Sequence, residues 1–153
     1  MAFADGEGNF NFHIRQKGNS NVCAFSIYQN VHDFHIMTLL IKFFKCGKLY
    51  PLTVNGSLNS TQKYFNERQN KGLNSVISFV INTKTLNKNI VIPFFNKYPL
   101  FTTKAFDFED WITLIHLSYI KYYSTIEGRN KMLSISKGMN KGRNVKFSST
   151  VYE

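Results

Sequence analysis

Cysteine is scarce: Cys23 and Cys46 are the two in 153 residues, too few for a disulfide framework, and they read as free thiols in a reducing compartment. Acid is scarce too, with nine Asp and Glu against nineteen Lys and Arg and a formal charge of +10. That balance points to a polyanionic partner. No two of the four histidines, His13, His32, His35 and His116, form a zinc-ligating pair on one helix with a cysteine pair beside them, so no zinc site is expected. No secretory signal and no apolar run of about 18 residues occurs, which predicts a soluble, intracellular chain that does not span a membrane. Aromatic residues, by contrast, make up 16% of the chain and hydrophobic residues 43%, which excludes a disordered basic tail. The length suits one folded domain. Heavy use of Asn, Lys, Ile, Phe and Tyr is what an AT-rich gene encodes.

From Asn9 to Lys17 the residues alternate, with Phe10, Phe12 and Ile14 on one face and Asn9, Asn11, His13, Arg15 and Lys17 on the other. This predicts a strand with one core face and one basic, polar face. After the turn Gly18-Asn19-Ser20-Asn21, the stretch Val22 to Gln29 alternates Cys23, Phe25 and Ile27 against Ala24, Ser26 and Tyr28, completing a hairpin. Such a ribbon fits a DNA major groove, where its polar side chains meet base edges and phosphates. Asp33 caps a predicted helix over 34–44, with Phe34, Met37, Leu40, Ile41 and Phe44 covering the sheet, and Cys46-Gly47 ends it. Strands are predicted over 48–54, where Pro51 argues for an edge or a bulge, and over 75–82, with Ile77, Phe79 and Ile81 inward and Val76, Ser78 and Val80 outward. The stretch 55–74 between them reads as a long basic loop able to follow a nucleic-acid backbone. Helices are predicted over 85–96 and 106–123, the latter with Phe108, Trp111, Ile112, Ile115 and Tyr119 on one face, and a last helix starts at a Thr125 cap.

The first eight residues, Met1-Ala2-Phe3-Ala4-Asp5-Gly6-Glu7-Gly8, read as a helix end running straight into the first strand. Ala2, Ala4 and Gly6 are small enough for two backbones to approach closely, and Gly6 and Gly8 permit a sharp exit. Asp5 and Glu7 sit where the helix dipole disfavours acid, so they call for a cation, a metal ion or hydrogen-bond donors. Phe3 to Gly8 resembles the second half of the LAGLIDADG motif of homing endonucleases, in the variant whose final acid is Glu. Tyr98-Pro99-Leu100, Lys104 and Asp107-Phe108-Glu109-Asp110-Trp111 resemble a stretch of the mitochondrial group of that family. Gly138-Met139-Asn140-Lys141-Gly142-Arg143 is similar to the end of its domain.

The resemblance implies an α+β fold, a four-stranded antiparallel saddle-shaped sheet with helices on one face in the order αββαββα, over residues 1–143, with 144–153 a loose basic tail. It implies an intron-encoded, Mg2+-dependent nuclease that cuts both strands of a long double-stranded DNA site, encoded in a mitochondrial genome. Glu7, with Gly6, is then the metal-binding acid, Gln29 a water-positioning residue and Lys104 a polariser of the phosphate. Ala2, Phe3 and Asp5 would line the interface with a twin motif helix. The DNA surface would be Asn11, His13, Arg15 and Lys17 of the first strand, Ala24, Ser26 and Tyr28 of the second, Lys48 and Tyr50 of the third, and Ser78 and Val80 of the fourth. The family uses two motifs and this chain carries one, with only Ala2, Phe3 and Ala4 ahead of the acids, so the expectation is a homodimer or, preferably, one half of a two-motif protein. Binding of intron RNA as a maturase, or an inactive remnant, are the alternatives.

Overall fold

The computed structural model describes residues 2–15, 21–50 and 76–140. Lys17, the 55–74 loop, most of the strand expected over 48–54 and the 144–153 tail lie outside the described residues.

The hairpin follows from its alternation. β1 (Gly8–Ile14) pairs antiparallel with β2 (Asn21–Asn30), Phe10 opposite Phe25 and Phe12 opposite Cys23. β2 pairs in turn with β4 (Val76–Ile81), and β4 with β3 (Lys48–Tyr50), giving the four-stranded order β1-β2-β4-β3. Phe10, Phe12, Phe25, Ile27, Leu49, Ile77, Phe79 and Ile81 are all buried on one face. The helices cover that face. α1 (Ala2–Glu7) leads into β1, and α2 (Phe34–Phe44) turns Met37 and Phe44 inward and ends at Lys45, in the left-handed region at φ 55°. The expected cap on α2 takes another form: Asp33 stands at the N-cap without a capping hydrogen bond and closes a 3-10 turn, Val31–Asp33, that Asn30 caps through the N–H of His32.

The helix expected over 85–96 runs through Lys84–Leu86, a π-helical turn Asn87–Val91 and Ile92–Lys97, together α3. Pro93 has no N–H to give to the preceding turn, and a widened turn directly before it removes that demand. The same turn carries Asn87, fully buried, whose amide nitrogen donates to the carbonyls of Cys23 and Ile81 and so ties β2 to β4. α4 (Lys104–Tyr119) buries Phe108, Trp111, Leu114 and Ile115 against β1. It starts earlier and ends sooner than the sequence predicts, because Lys121 adopts a left-handed conformation and the chain continues as a separate 3-10 turn, Tyr122–Ser124. Tyr119, expected on the core face, is 39% exposed. α5 (Ile126–Lys137) is capped by Thr125, whose hydroxyl accepts from the N–H of Gly128.

β1 is an edge strand, and the carbonyls on its open side are taken by side chains. The Lys104 ammonium donates to Gly8 O, Asn140 Nδ2 to Phe10 O at 2.9 Å and Ser136 Oγ to Phe12 O at 2.8 Å. Arg129 Nη2 donates to Arg15 O at 3.0 Å just past the strand. Gly8, Phe10 and Phe12 are alternate positions, whose carbonyls an antiparallel ladder directs to the same side. Helices α4 and α5 are thereby fixed along the edge.

The two glycines of the exit differ from expectation, since neither is among the described residues with positive φ. Gly8 is needed for space: a Cβ there would lie 2.5 Å from the carbonyl oxygen of Ala4, which is itself buried against the core. Gly8→Ala should therefore destabilise the fold by about 1–3 kcal/mol, as backbone must shift to admit the methyl. Chemical denaturation against wild type measures this, and an unchanged midpoint would contradict the packing.

Candidate active-site cleft

The direct passage from α1 to β1 leaves the Glu7 carboxylate exposed at the helix end. It opens on a cleft of about 640 Å³ lined by Gly6, Glu7, Gly8, Asn9, Asn11 and Tyr28 on one side and Thr103, Lys104, Asp107, Met139 and Asn140 on the other. Residues nearly a hundred positions apart meet here because α4 begins beside the start of β1. The Lys104 ammonium anchors on Gly8 O, within the same wall as the acid. Asp107, one turn along from Lys104, is 5% exposed and accepts from the N–H of Asn140 at 3.0 Å. Asn140, held at φ 54°, is thus fixed to α4 by its backbone and to β1 by its side chain.

Asp5 is hydrogen-bonded within its own domain. Its Oδ1 accepts from the backbone N–H groups of Phe101 and Thr102 and from the Thr102 hydroxyl, each at 3.0 Å. Burial pushes the carboxyl up, but the Thr102 and Phe101 donors outweigh it and hold the group below its ordinary value of 3.8. Phe3 likewise turns inward and lines an apolar cavity of about 220 Å³ with Phe25, Leu40, Phe44 and Phe95. Of the three residues expected at a twin-helix interface, Phe3 and Asp5 therefore serve their own domain, while Ala2 opens α1. The open spot on this helix is at Gly6, where an added Cβ would meet no atom within 4 Å.

The other expected positions distribute as follows. Gln29 follows the inward parity of Phe25 and Ile27 and is not among the residues lining the cleft; its Oε1 accepts from the N–H of Asn30 at 3.1 Å. On the open face, His13, Arg15, Tyr28 and Lys48 are exposed, and Asn11, Ala24, Tyr50, Ser78 and Val80 are half-buried. Ser26 is a correction. It pairs with Asn9 on one side and Val80 on the other in mid-sheet, is 1% exposed, and its hydroxyl has no partner among the described residues, so it is withdrawn from any ligand on that face. Asp107 and Asn140 are cleft residues that the sequence reading did not single out as such. Both lie inside the matched stretches, but 33 positions separate them and no local pattern joins them.

Hard cations take oxygen ligands, and magnesium keeps several waters, so one or two carboxylates are enough protein for it. Glu7 and the Gly6 carbonyl fit such a half-set. Among the described residues no group of three His, Cys, Asp or Glu side chains could hold a metal by itself. Neither thiol suits nucleophilic chemistry, since burial raises both Cys23 and Cys46 above their ordinary value.

The lowered Asp5 pKa has a pH consequence. Its stabilising contribution is complete above 3.8 and is lost as pH falls through the lower folded-state value. Asp5→Asn should be less stable than wild type at neutral pH, with the difference shrinking below pH 3.8. Thermal unfolding across pH reads this, and a constant difference would contradict the assignment.

Comparison with known proteins agrees with this fold. The sequence profile of the LAGLIDADG endonuclease family matches residues 2–77 and 53–115. A Neurospora crassa protein named probable intron-encoded endonuclease 3 is 27% identical over 136 residues, covering 85% of this chain and 22% of its own length. A Mycosarcoma maydis protein, probable intron-encoded DNA endonuclease aI1, is 35% identical over 54 residues, covering 35% of this chain and 45% of that protein. Among solved structures, the homing endonuclease I-GzeII in complex with its DNA target superposes with a TM-score of 0.74 at 22% identity, over 93% of this chain and 43% of that one. I-TnaI gives 0.70 at 26% identity, over 92% of this chain and 85% of that one. The matched stretch thus covers less than half the length of each of the two fungal relatives and of I-GzeII. With the family profile matching across α1, the sheet and the first part of α4, the chain belongs to the LAGLIDADG endonuclease family.

Proposed function

We propose that this chain is one half of a site-specific DNA endonuclease that makes metal-dependent cuts in both strands of a long target, the other half coming from a second copy of the motif. The observation that carries the reading is the meeting of the exposed Glu7 carboxylate and the anchored Lys104 ammonium in one cleft at the end of a basic sheet. The second motif would come from another copy of this chain or from the remainder of a two-motif protein. In either case the open Gly6 face of α1 gives a second helix room to approach.

Duplex DNA would lie along the open face of the sheet, met by His13, Arg15, Tyr28 and Lys48. The net charge of +10 supplies non-specific attraction to phosphates. Glu7, with the Gly6 carbonyl, would hold Mg2+ against a scissile phosphate. Bound there, the ion supplies an activated water and charge compensation on the phosphoryl oxygens. Lys104 contributes a fixed positive charge beside the phosphate, positioned beforehand by its bond to Gly8 O. Gln29, at the same end of the sheet, has a lesser part, as its amide oxygen is already engaged. The intron-encoded relatives and the AT-rich coding pattern favour a mitochondrial intron gene.

In a protein carrying this domain and a second motif, Glu7→Gln should abolish Mg2+-dependent cleavage while DNA binding is kept or slightly tightened, because one charge beside the phosphates is lost. Lys104→Met should slow cleavage by about 10²-fold, the usual scale for one electrostatic contributor to a transition state, and Gln29→Ala by less. Single-turnover cleavage with filter-binding controls measures all three. Wild-type cutting by Glu7→Gln would remove the centre of the proposal.

A further inference from the structure

At the opposite end of β1 from the cleft, α3 and α4 bring together a cluster to which the nuclease reading gives no task. The Lys84 ammonium donates to Ser118 Oγ at 3.0 Å and lies 4.7 Å from the centroid of the Tyr119 ring. Lys88, one helical turn further along α3, places its ammonium 4.4 Å from the same centroid. Asn21 Nδ2 also donates to Ser118 Oγ, at 3.2 Å, while its Oδ1 is buried without a partner. Ser118 is 1% exposed, whereas Tyr119 above it is 39% exposed.

Two like charges four residues apart on a helix repel, yet here both converge on one ring. Contact of both ammonium groups with the ring offsets part of that repulsion. Among the described residues no carboxylate hydrogen-bonds to or pairs with either ammonium. An arrangement that gathers positive charge over a buried hydroxyl, with no acid among the described residues to balance it, is complementary to an anion with several oxygens. Asn21 begins β2 with the inward parity of Cys23 and Phe25, so the cluster belongs to the helix side of the sheet. The seven residues of β1 separate it from Glu7 by about 20 Å at the usual rise of a strand.

We infer that Lys84, Lys88, Ser118 and Tyr119 form a phosphate-binding site on the helix side of the sheet, taking a backbone phosphate of a nucleic-acid strand that is not the duplex on the open face. The ammonium groups bind the phosphate oxygens. The Tyr119 ring holds the two side chains in place, and Ser118, steadied by Asn21, fixes the first of them. With the ring engaged by the two lysines, the site reads backbone and not base, so it is indifferent to sequence. The inference stands apart from the nuclease reading, because it uses no residue of the cleft.

The test is an NMR titration of the 153-residue chain with inorganic phosphate and with a twelve-nucleotide single-stranded RNA, followed by the same titrations on Lys84→Gln/Lys88→Gln. Both probes should shift the amides around 84–88 and 118–119 in wild type. In the double variant those shifts should vanish, and the slope of log affinity for the single strand against log salt should fall by about 0.7, one phosphate contact. Lys88→Gln alone, changing a solvent-exposed residue, should weaken the shifts and keeps the test decisive if the double variant unfolds. Glu7→Gln should leave the titration unchanged whether or not it cleaves DNA, which separates failure here from failure of the nuclease reading. Equal shifts with chloride or polyglutamate, an unaltered salt slope in the variant, or complete displacement of the RNA by excess duplex DNA would overturn the inference.

Discussion

The structure depends on how the free edge of β1 is satisfied. An edge strand presents a row of unpaired carbonyls to which any other strand can add. Here Lys104, Asn140 and Ser136 occupy the carbonyls of Gly8, Phe10 and Phe12 in turn, and Arg129 takes that of Arg15 just past the strand. The Trp111 indole adds a bond to Asn11 O. These donors come from α4, α5 and the residues just after α5, so the bonds that protect the edge also set the position of both helices. The cleft results from the same constraint: the first donor in the row is Lys104, and the carbonyl it takes belongs to the residue next to Glu7.

Packing under the sheet reinforces this placement. Phe10 contacts the rings of Phe25, Phe95, Phe108 and Trp111 with centroids 5.2–5.6 Å apart, joining β1, β2, α3 and α4 in one aromatic cluster. Close-packed interiors transmit displacement, so a shift of α4 along β1 would disturb the cluster and the edge bonds together. Asp5 adds the remaining tie, holding α1 to the segment before α4 through Phe101 and Thr102. The two acids of the motif thus divide their work, Asp5 locking the helix in place and Glu7 staying open to the cleft.

Much of the fold was legible because burial on one face writes a period of two into strands and a wider period into helices. The facing of Phe10, Phe25 and Phe79 follows from that alone, and the limits of α2 follow from it together with Asp33 before the helix and Cys46-Gly47 after it. Periodicity gives the face of Ser26 but not its burial, and it places Tyr119, the last residue of α4, on a core face that the residue leaves for contact with Lys84 and Lys88. At Gly8 the sequence showed the exit but not its tightest constraint: what Gly8 avoids is the Ala4 carbonyl, a contact made by the fold and not by the turn. At the cleft, Glu7, Gly6 and Lys104 were found through the family resemblance, while Asp107 and Asn140 were not. Their meeting depends on where α5 ends relative to β1, which no local pattern encodes.

The central claim is that Glu7 is the cation-binding acid of a cleft whose opposite wall is the start of α4. Paramagnetic broadening by Mn2+, titrated into the free 153-residue chain, tests it without requiring cleavage. The account predicts that the amide signals of Gly6, Glu7 and Gly8 broaden first, together with those of Thr103 and Lys104, and that Glu7→Gln removes the effect at all of them. Broadening centred on another acid such as Asp33 or Glu127, or broadening at the cleft that survives Glu7→Gln, would contradict it.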